Sequence, residues 1–280
     1  MQFGVTMFPA DYAMDVAELG REAEARGFES LWFPEHTHMP AATTLNSAGT
    51  APLADEYRHT LDQFVVLGAV AAATSTIKLG TGICLVIQRD PILLAKEVAS
   101  VDYLSKGRLL LGIGAGWNRP EIENHGVSYP RRFRVMRERI KAMKEIWANE
   151  VASFSGDFVN FEAINSWPKP VQSPHPPIIV GGDGPRAVEH AVEYGDGWIP
   201  HPTGGGAPLA DRIAAANQKL AEAGRKPIPI TIFGAQGDDA EIAEYERLGV
   251  SRVVLRLPPR GRDEVLPALD RFAAIQARSS

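Results

Sequence analysis

The sequence predicts an α/β protein in which residues 1–280 close into a single (β/α)8 barrel with insertion segments. Three observations predict it. Eight short apolar runs alternate with eight segments of helical period. Most of the runs are continuously apolar rather than alternating, as strands buried on both faces read. The length of 280 residues suits one barrel of ordinary size. A doubly wound open sheet shares the alternation, since periodicity does not reveal closure, but the count of eight favours the barrel.

The runs cover residues 3–8, 30–34, 78–84, 108–114, 177–181, 197–200, 228–233 and 252–257. The first helical segment, 13–26, sets Val16, Leu19 and Ala23 on one stripe and ends at Gly27, a residue suited to follow a helix end. Further helices are expected over 60–74, 91–104, 131–147, 185–194, 209–223, 239–248 and 262–276. Pro91 and Pro185 fall in first turns, where a helix tolerates proline. Two inserts break the rhythm. Residues 37–59 form an Ala/Thr/Ser/Gly/Pro segment after the second strand. Residues 150–176 set Phe154, Phe158, Phe161 and Trp167 around a Ser155-Gly156-Asp157 turn, which predicts a small hairpin and then extended chain. Long loops in a compact domain are functional or mobile, and a barrel builds its site at the C-terminal strand ends.

Hydrophobic residues make up 45% and charged residues 22%, which permits a core of normal size. Net charge is −5 with no basic run, which argues against nucleic-acid binding. The single Cys84 excludes an internal disulfide and fits a reducing compartment. The start, MQFGVTMFPADYAMD, lacks a basic region followed by an apolar stretch, and the most apolar window, 61–73, is too short to span a bilayer. A cytoplasmic protein is expected.

Four strand ends offer chemistry. Glu35 and His36 close the second strand, where an imidazole beside a carboxylate serves as general base or orients a ring oxygen; the plainer alternative is a pair satisfying loop backbone. His38 adds an H-x-H that hints at a metal, but the eighth strand ends Leu255-Arg256-Leu257-Pro258 without an acidic ligand, so no metal site is expected. Gly80, Gly82 and Ile83 end the third strand, permitting a flat ligand or a bulge. Gly112-Ile113-Gly114-Ala115-Gly116-Trp117-Asn118 lacks dinucleotide spacing and reads as a floor for a ring system with a polar handle, or as a tight mouth. Gly181 and Gly182 precede a helix N-terminus and offer N–H groups to a phosphate. Asp183 there would more naturally cap the helix; with a phosphate bound it must point away, leaving Arg186 to help. Cys84 reads as a buried, inert thiol.

Taken in order, GFESLWFPEH (27–36), KLGTGICLVIQRDPILLAKEVASVDYLSKGRLLLGIGAGW (78–117), PKPVQSPHPPIIVGG (168–182) and EYGDGW (193–198) resemble the bacterial luciferase-like monooxygenase superfamily, especially its branch dependent on the deazaflavin coenzyme F-420. The resemblance implies a bacterial luciferase-like TIM barrel that transfers hydride between coenzyme F-420 and a small organic substrate. It implies that Glu35 and His36 line the ring, with His36 moving the accompanying proton and Glu35 orienting a ring or substrate group. Gly82–Ile83 would form a bulge with a non-prolyl cis peptide behind the ring, and Gly181 and Gly182 would hold the phosphate. Trp117 and Asn118 occupy the strand-four loop where some relatives carry a catalytic Glu, a departure that counts against sugar-phosphate dehydrogenase activity. Residues 37–59 would cover the substrate, and relatives suggest a homodimer. The alternatives are an FMN-dependent monooxygenase of the same fold, a non-catalytic flavin- or deazaflavin-binding barrel and, last, a metal-dependent hydrolase.

Overall fold

The computed structural model describes residues 1–43, 52–204 and 206–279. Strands β1 (Gln2–Thr6), β2 (Ser30–Phe33), β3 (Lys78–Thr81) and β4 (Leu109–Ile113) lead into a hairpin, β5 (Val151–Ser155) and β6 (Asn160–Asn165), followed by β7 (Ile178–Gly181), β8 (Gly197–Ile199), β9 (Thr231–Ala235) and β10 (Arg252–Arg256). The helices are α1 (Val16–Ala25), α2 (Gln63–Ala73), α3 (Pro91–Leu104), α4 (Arg119–Asn124), α5 (Arg132–Ala148), α6 (Pro185–Tyr194), α7 (Leu209–Glu222), α8 (Asp239–Arg247) and α9 (Arg262–Arg278). Eight strands run parallel in the order β8-β7-β4-β3-β2-β1-β10-β9. The two ends meet where Trp198 N–H donates to the Pro229 carbonyl at 3.0 Å and bridges to Ile230. The sheet is a closed barrel, as the alternation predicts.

Two apolar layers hold it together. The larger lies between the sheet and the helices and takes in Val5, Leu31, Leu79, Leu111 and Val253. The smaller fills the barrel itself with Trp32, Leu110, Ile179, Ile199 and Val254. Trp32 is fully buried and satisfies its indole N–H on Ser30 Oγ at 2.8 Å. The indole fits because its neighbours have no side chains. A Cβ added to Gly80 would lie 2.1 Å from Trp32 Cδ2, and one added to Gly4 would lie 2.4 Å from Ser30 Oγ.

The N-terminal end of the barrel is tied electrostatically. Arg252 on β10 donates to both oxygens of Glu29 at 2.8 Å, to Gln2 on β1 at 3.0 Å and to Thr231 on β9 at 3.2 Å. Lys78 on β3 donates to the same carboxylate at 2.9 Å. Burial works to raise the Glu29 pKa, but Arg252, Ser30 and Lys78 outweigh it and bring it to about 2.

Most expected elements form within a few residues of their expected bounds. The hairpin is present, with Glu138 of α5 accepting from the N–H groups of Asp157, Phe158 and Val159 at its turn. Gly27 takes φ +77 after the end of α1. The strand expected over 228–233 begins only at Thr231. Pro227 and Pro229 lack the N–H a ladder needs, so pairing starts beyond them. The helix expected from residue 60 begins at Gln63, because Asp62 accepts from the Phe64 and Val65 N–H groups as its cap. The short α4 was not expected at all.

Gly80→Ala should lower stability by at least about 2 kcal/mol, since the indole cannot yield to a new methyl; an unchanged urea midpoint would show that it can. Glu29→Gln tests the N-terminal tie. A carboxyl held low in the folded state stabilises above its unfolded pKa of about 4.5, and that contribution fades as the pH falls towards about 2. The variant should therefore lose on the order of 3 kcal/mol at neutral pH and converge with the wild type in acid. Parallel denaturation curves from pH 7 to pH 3 check both points.

Candidate functional site

A cavity of about 610 Å³ opens at the C-terminal strand ends. Glu35, His36, Gly82, Ile83, Trp117, Gly181 and Gly182 all line it, so four stretches far apart in the chain share one mouth. The Gly82–Ile83 peptide is cis. Gly82 packs against Phe233, where an added Cβ would lie 2.1 Å from the ring, and Ile83 packs against Gly114, where an added Cβ would lie 2.7 Å from Ile83 Cδ1. The bulge thus stands between two close walls, and its backbone forms part of the cavity surface.

His36 is set on this surface by a residue the sequence reasoning missed. Glu121, in the first turn of α4 and 1% exposed, meets His36 Nδ1 with its carboxylate oxygens at 3.0 and 3.2 Å. A carboxylate accepts only, so Nδ1 carries the proton and Nε2 is the lone-pair nitrogen in the neutral ring. Nε2 has no hydrogen-bond partner among the described residues. The rings of Tyr57 and Trp117 stand 5.2 and 6.0 Å from the imidazole, centroid to centroid, and Phe8 packs on Tyr57 at 4.8 Å. Burial pushes the Tyr57 phenol up, with Arg256 opposing, so the wall is neutral.

The Glu35 carboxylate is tied to the turn after β3 at the edge of the cavity. One oxygen accepts from Leu85 N–H at 2.6 Å and the other from Arg89 Nε at 2.7 Å. Arg89 also binds Asp62, the cap of α2, at 2.7 Å and Glu97 of α3 at 3.0 Å, and its guanidinium lies 4.8 Å from the Phe64 ring centroid. Burial opposes charge on Arg89, but Glu35 and the neighbouring acids more than offset it and hold it protonated. Glu35 lines the cavity and, through Leu85 and Arg89, also anchors β2 to the turn after β3. Cys84 is fully buried beneath, and burial, helped by Glu35, pushes its thiol well up, as expected of an inert thiol.

The opposite side of the mouth is made by Gly181–Gly184 and the start of α6. Gly182 holds φ +121, which suits only glycine, and α6 has no side-chain cap. Asp183 does not cap the helix. Its Oδ1 accepts from Arg212 at 2.7 Å and from His201 N–H at 2.6 Å, so its charge is neutralised from behind. A Cβ on Gly184 or Gly234 would meet nothing within 4 Å, and both line the cavity. Missing side chains leave this space open, and a flat group with a phosphate fits it.

Two expected contacts are absent. Asn118 is 4% exposed and off the cavity wall. Its amide donates to Met39 Sδ at 3.3 Å and Thr43 Oγ1 at 3.2 Å, so it secures the loop after β2. Arg186 is also off the wall, with its guanidinium 5.8 Å from the Phe133 ring centroid. Phe133 itself lines the cavity, so Arg186 stands at the edge of the mouth. The covering role expected of residues 37–59 falls partly outside the described residues. His38 binds Asn124 at 2.9 Å and Thr37 at 3.0 Å. Among the described residues no three His, Cys, Asp or Glu side chains converge as a metal requires, and no helix is long and apolar enough to cross a membrane.

Comparison with known proteins agrees with this geometry. The chain is 37% identical to an uncharacterised protein of Mycobacterium tuberculosis over 279 residues, 98% of each chain. It is 29% identical to an F-420-dependent hydroxymycolic acid dehydrogenase of the same organism over 229 residues, 79% of this chain and 59% of the relative. It is 26% identical to the 5,10-methylenetetrahydromethanopterin reductase of Methanolobus tindarius over 266 residues, 92% and 73%. Among solved structures, a monooxygenase of Streptomyces bottropensis superposes with a TM-score of 0.80 at 20% identity, covering 100% of this chain and 99% of that one. An F-420-dependent secondary alcohol dehydrogenase superposes at 0.75 with 18% identity, covering 98% of both. Those two are likenesses of fold. The family model described as luciferase-like monooxygenase matches residues 1–259, and the chain belongs to that family.

Proposed function

We propose that this chain is an oxidoreductase that binds a flavin or deazaflavin across the strand ends, takes coenzyme F-420 as its cofactor, and acts on a small organic substrate. One observation carries the reading: His36, with its Nδ1 fixed by Glu121, lines the same cavity as the Gly82–Ile83 bulge and the open Gly181–Gly184 end. When bound, a reduced deazaflavin supplies hydride from C5 and reacts poorly with oxygen.

The remaining work belongs to the chain. The bulge would back the ring, and the Gly181–Gly184 turn with the uncapped start of α6 would hold the phosphate, the Gly182 N–H itself being engaged by the Ile199 carbonyl at 3.0 Å. His36 Nε2 accepts or returns the proton that accompanies hydride movement, and Glu121 stabilises the imidazolium formed meanwhile. Phe8, Tyr57 and Trp117 exclude water and leave an apolar face for the substrate. The runner-up is an FMN-dependent monooxygenase, supported by the fold match to a monooxygenase. A reduced flavin reacts with oxygen, so that reading requires oxygen-dependent turnover.

Parallel titration with coenzyme F-420 and FMN, followed by ring fluorescence, should give micromolar affinity for F-420 and none for FMN; the reverse result establishes the runner-up. Replacing His36 by Ala should lower turnover about 100-fold or more with cofactor affinity nearly intact. Glu121→Gln should fall between wild type and His36→Ala, because an amide allows the wrong tautomer. Unchanged turnover in both variants would remove the pair from the reaction.

A further inference from the structure

Thr6 ends β1 and lines the cavity, 3% exposed. Its Oγ1 is sealed from water and has no hydrogen-bond partner among the described residues. A buried hydroxyl in that state is destabilising, so a threonine there needs an explanation. Packing does not give one, since valine has the same shape without the unpaired group. Local strand structure does not either: the Thr6 carbonyl already accepts from Leu257 N–H at 2.8 Å, and the side chain takes no part in the ladder.

The barrel's closure says what the hydroxyl faces. Counting round the closed order in either direction, β1 lies four strands from β7 and so stands directly across the mouth from it. Gly181 and Gly182, which the proposed function assigns to the phosphate, are at the β7 end. A flat group anchored there and reaching across the mouth meets β1 with its far edge. In flavins and deazaflavins alike, the tricyclic ring bears a pyrimidinedione edge with two carbonyl oxygens, acceptors for which the β1 side of the cavity offers Thr6 and, in register with it on β10, Arg256. Contact with that edge requires rotation of Thr6 about χ1, which exchanges its methyl and hydroxyl positions.

We infer that Thr6 is a cofactor-positioning residue whose hydroxyl donates to a carbonyl on the pyrimidinedione edge of the bound ring. The inference rests on the proposed function and goes beyond it by naming the edge of the ring that faces β1. Thr6 contributes no charge, so it orients the ring without altering the protonation of His36.

The test compares wild type, Thr6→Val and Thr6→Ser, with coenzyme F-420 and FMN as probes. Thr6→Val should melt at or above the wild-type temperature, because it removes an unpaired buried hydroxyl. It should bind the cofactor about tenfold more weakly, the loss of one neutral hydrogen bond in a water-poor site. The absorption maximum of the bound ring should shift relative to wild type, and Thr6→Ser, which keeps the hydroxyl, should restore both affinity and spectrum. A Thr6→Val protein with wild-type affinity and spectrum overturns the inference alone. A Thr6→Val protein that melts lower also overturns it, since the hydroxyl then has a partner inside the protein. Wild type that binds neither probe overturns the proposed function and this inference together.

Discussion

The mouth of the barrel depends on one buried cation. Arg89 sits 10% exposed among Glu35, Asp62 and Glu97, and through them it joins the end of β2, the cap of α2 and the side of α3 to its own turn. Arg139 of α5 donates to the carbonyls of Val86 and Arg89 and adds a fourth element. A buried ion pair is weak evidence for stability, because desolvation cancels much of the attraction. It is strong evidence for specificity of arrangement, since the charges are tolerable only in this geometry. The Glu35 carboxylate determines where residue 36 begins, and the Leu85 N–H it accepts determines where the chain lies after the bulge. The backbone that carries His36 and the chain after the cis peptide are therefore tied by one carboxylate, while Glu121 holds the imidazole itself.

The mouth divides into two sides of different character. Across from the glycine-rich β7 end stand Phe8, Tyr57 and His36, an aromatic wall bordered by Arg256, which Glu56 meets at 3.3 Å. The β7 side owes its openness to absent side chains, and its one carboxylate is turned back onto Arg212. The closed strand order sets β1 and β7, at these two sides of the mouth, four strands apart.

Much of the fold was legible because continuous apolar runs, helix-opening prolines and the hairpin turn are local signals. So was the gathering of Gly82, Ile83, Trp117, Gly181 and Gly182 around one cavity, since they lie at strand ends where a barrel brings them together. What sequence alone did not show was partnership. Glu35 and Glu121 are both acidic residues near His36 in the fold, yet only three-dimensional placement shows that the distant one holds the ring while the adjacent one binds Arg89. Asn118 and Arg186 follow a strand end by a few residues, and neither is among the residues that line the cavity. Asp62, Arg89 and Tyr57 belong to connecting segments, which carry no periodicity to betray which side chains turn inward. The acidic residue in the first turn after the strand-four glycines, Glu121 behind Pro120, was the one available sign of α4.

Cys84 has a consequence outside catalysis. The chain has no other cysteine, and this one is joined through its backbone to Gly112 and Gly114 of the fourth strand's end, at 2.8 and 3.1 Å. Alkylating reagents attack thiolate, which here can form only after the wall separates and water enters. Timed exposure of the native protein to such a reagent would read how often this rim of the barrel breathes, and whether a ligand slows it, without the introduction of any foreign probe.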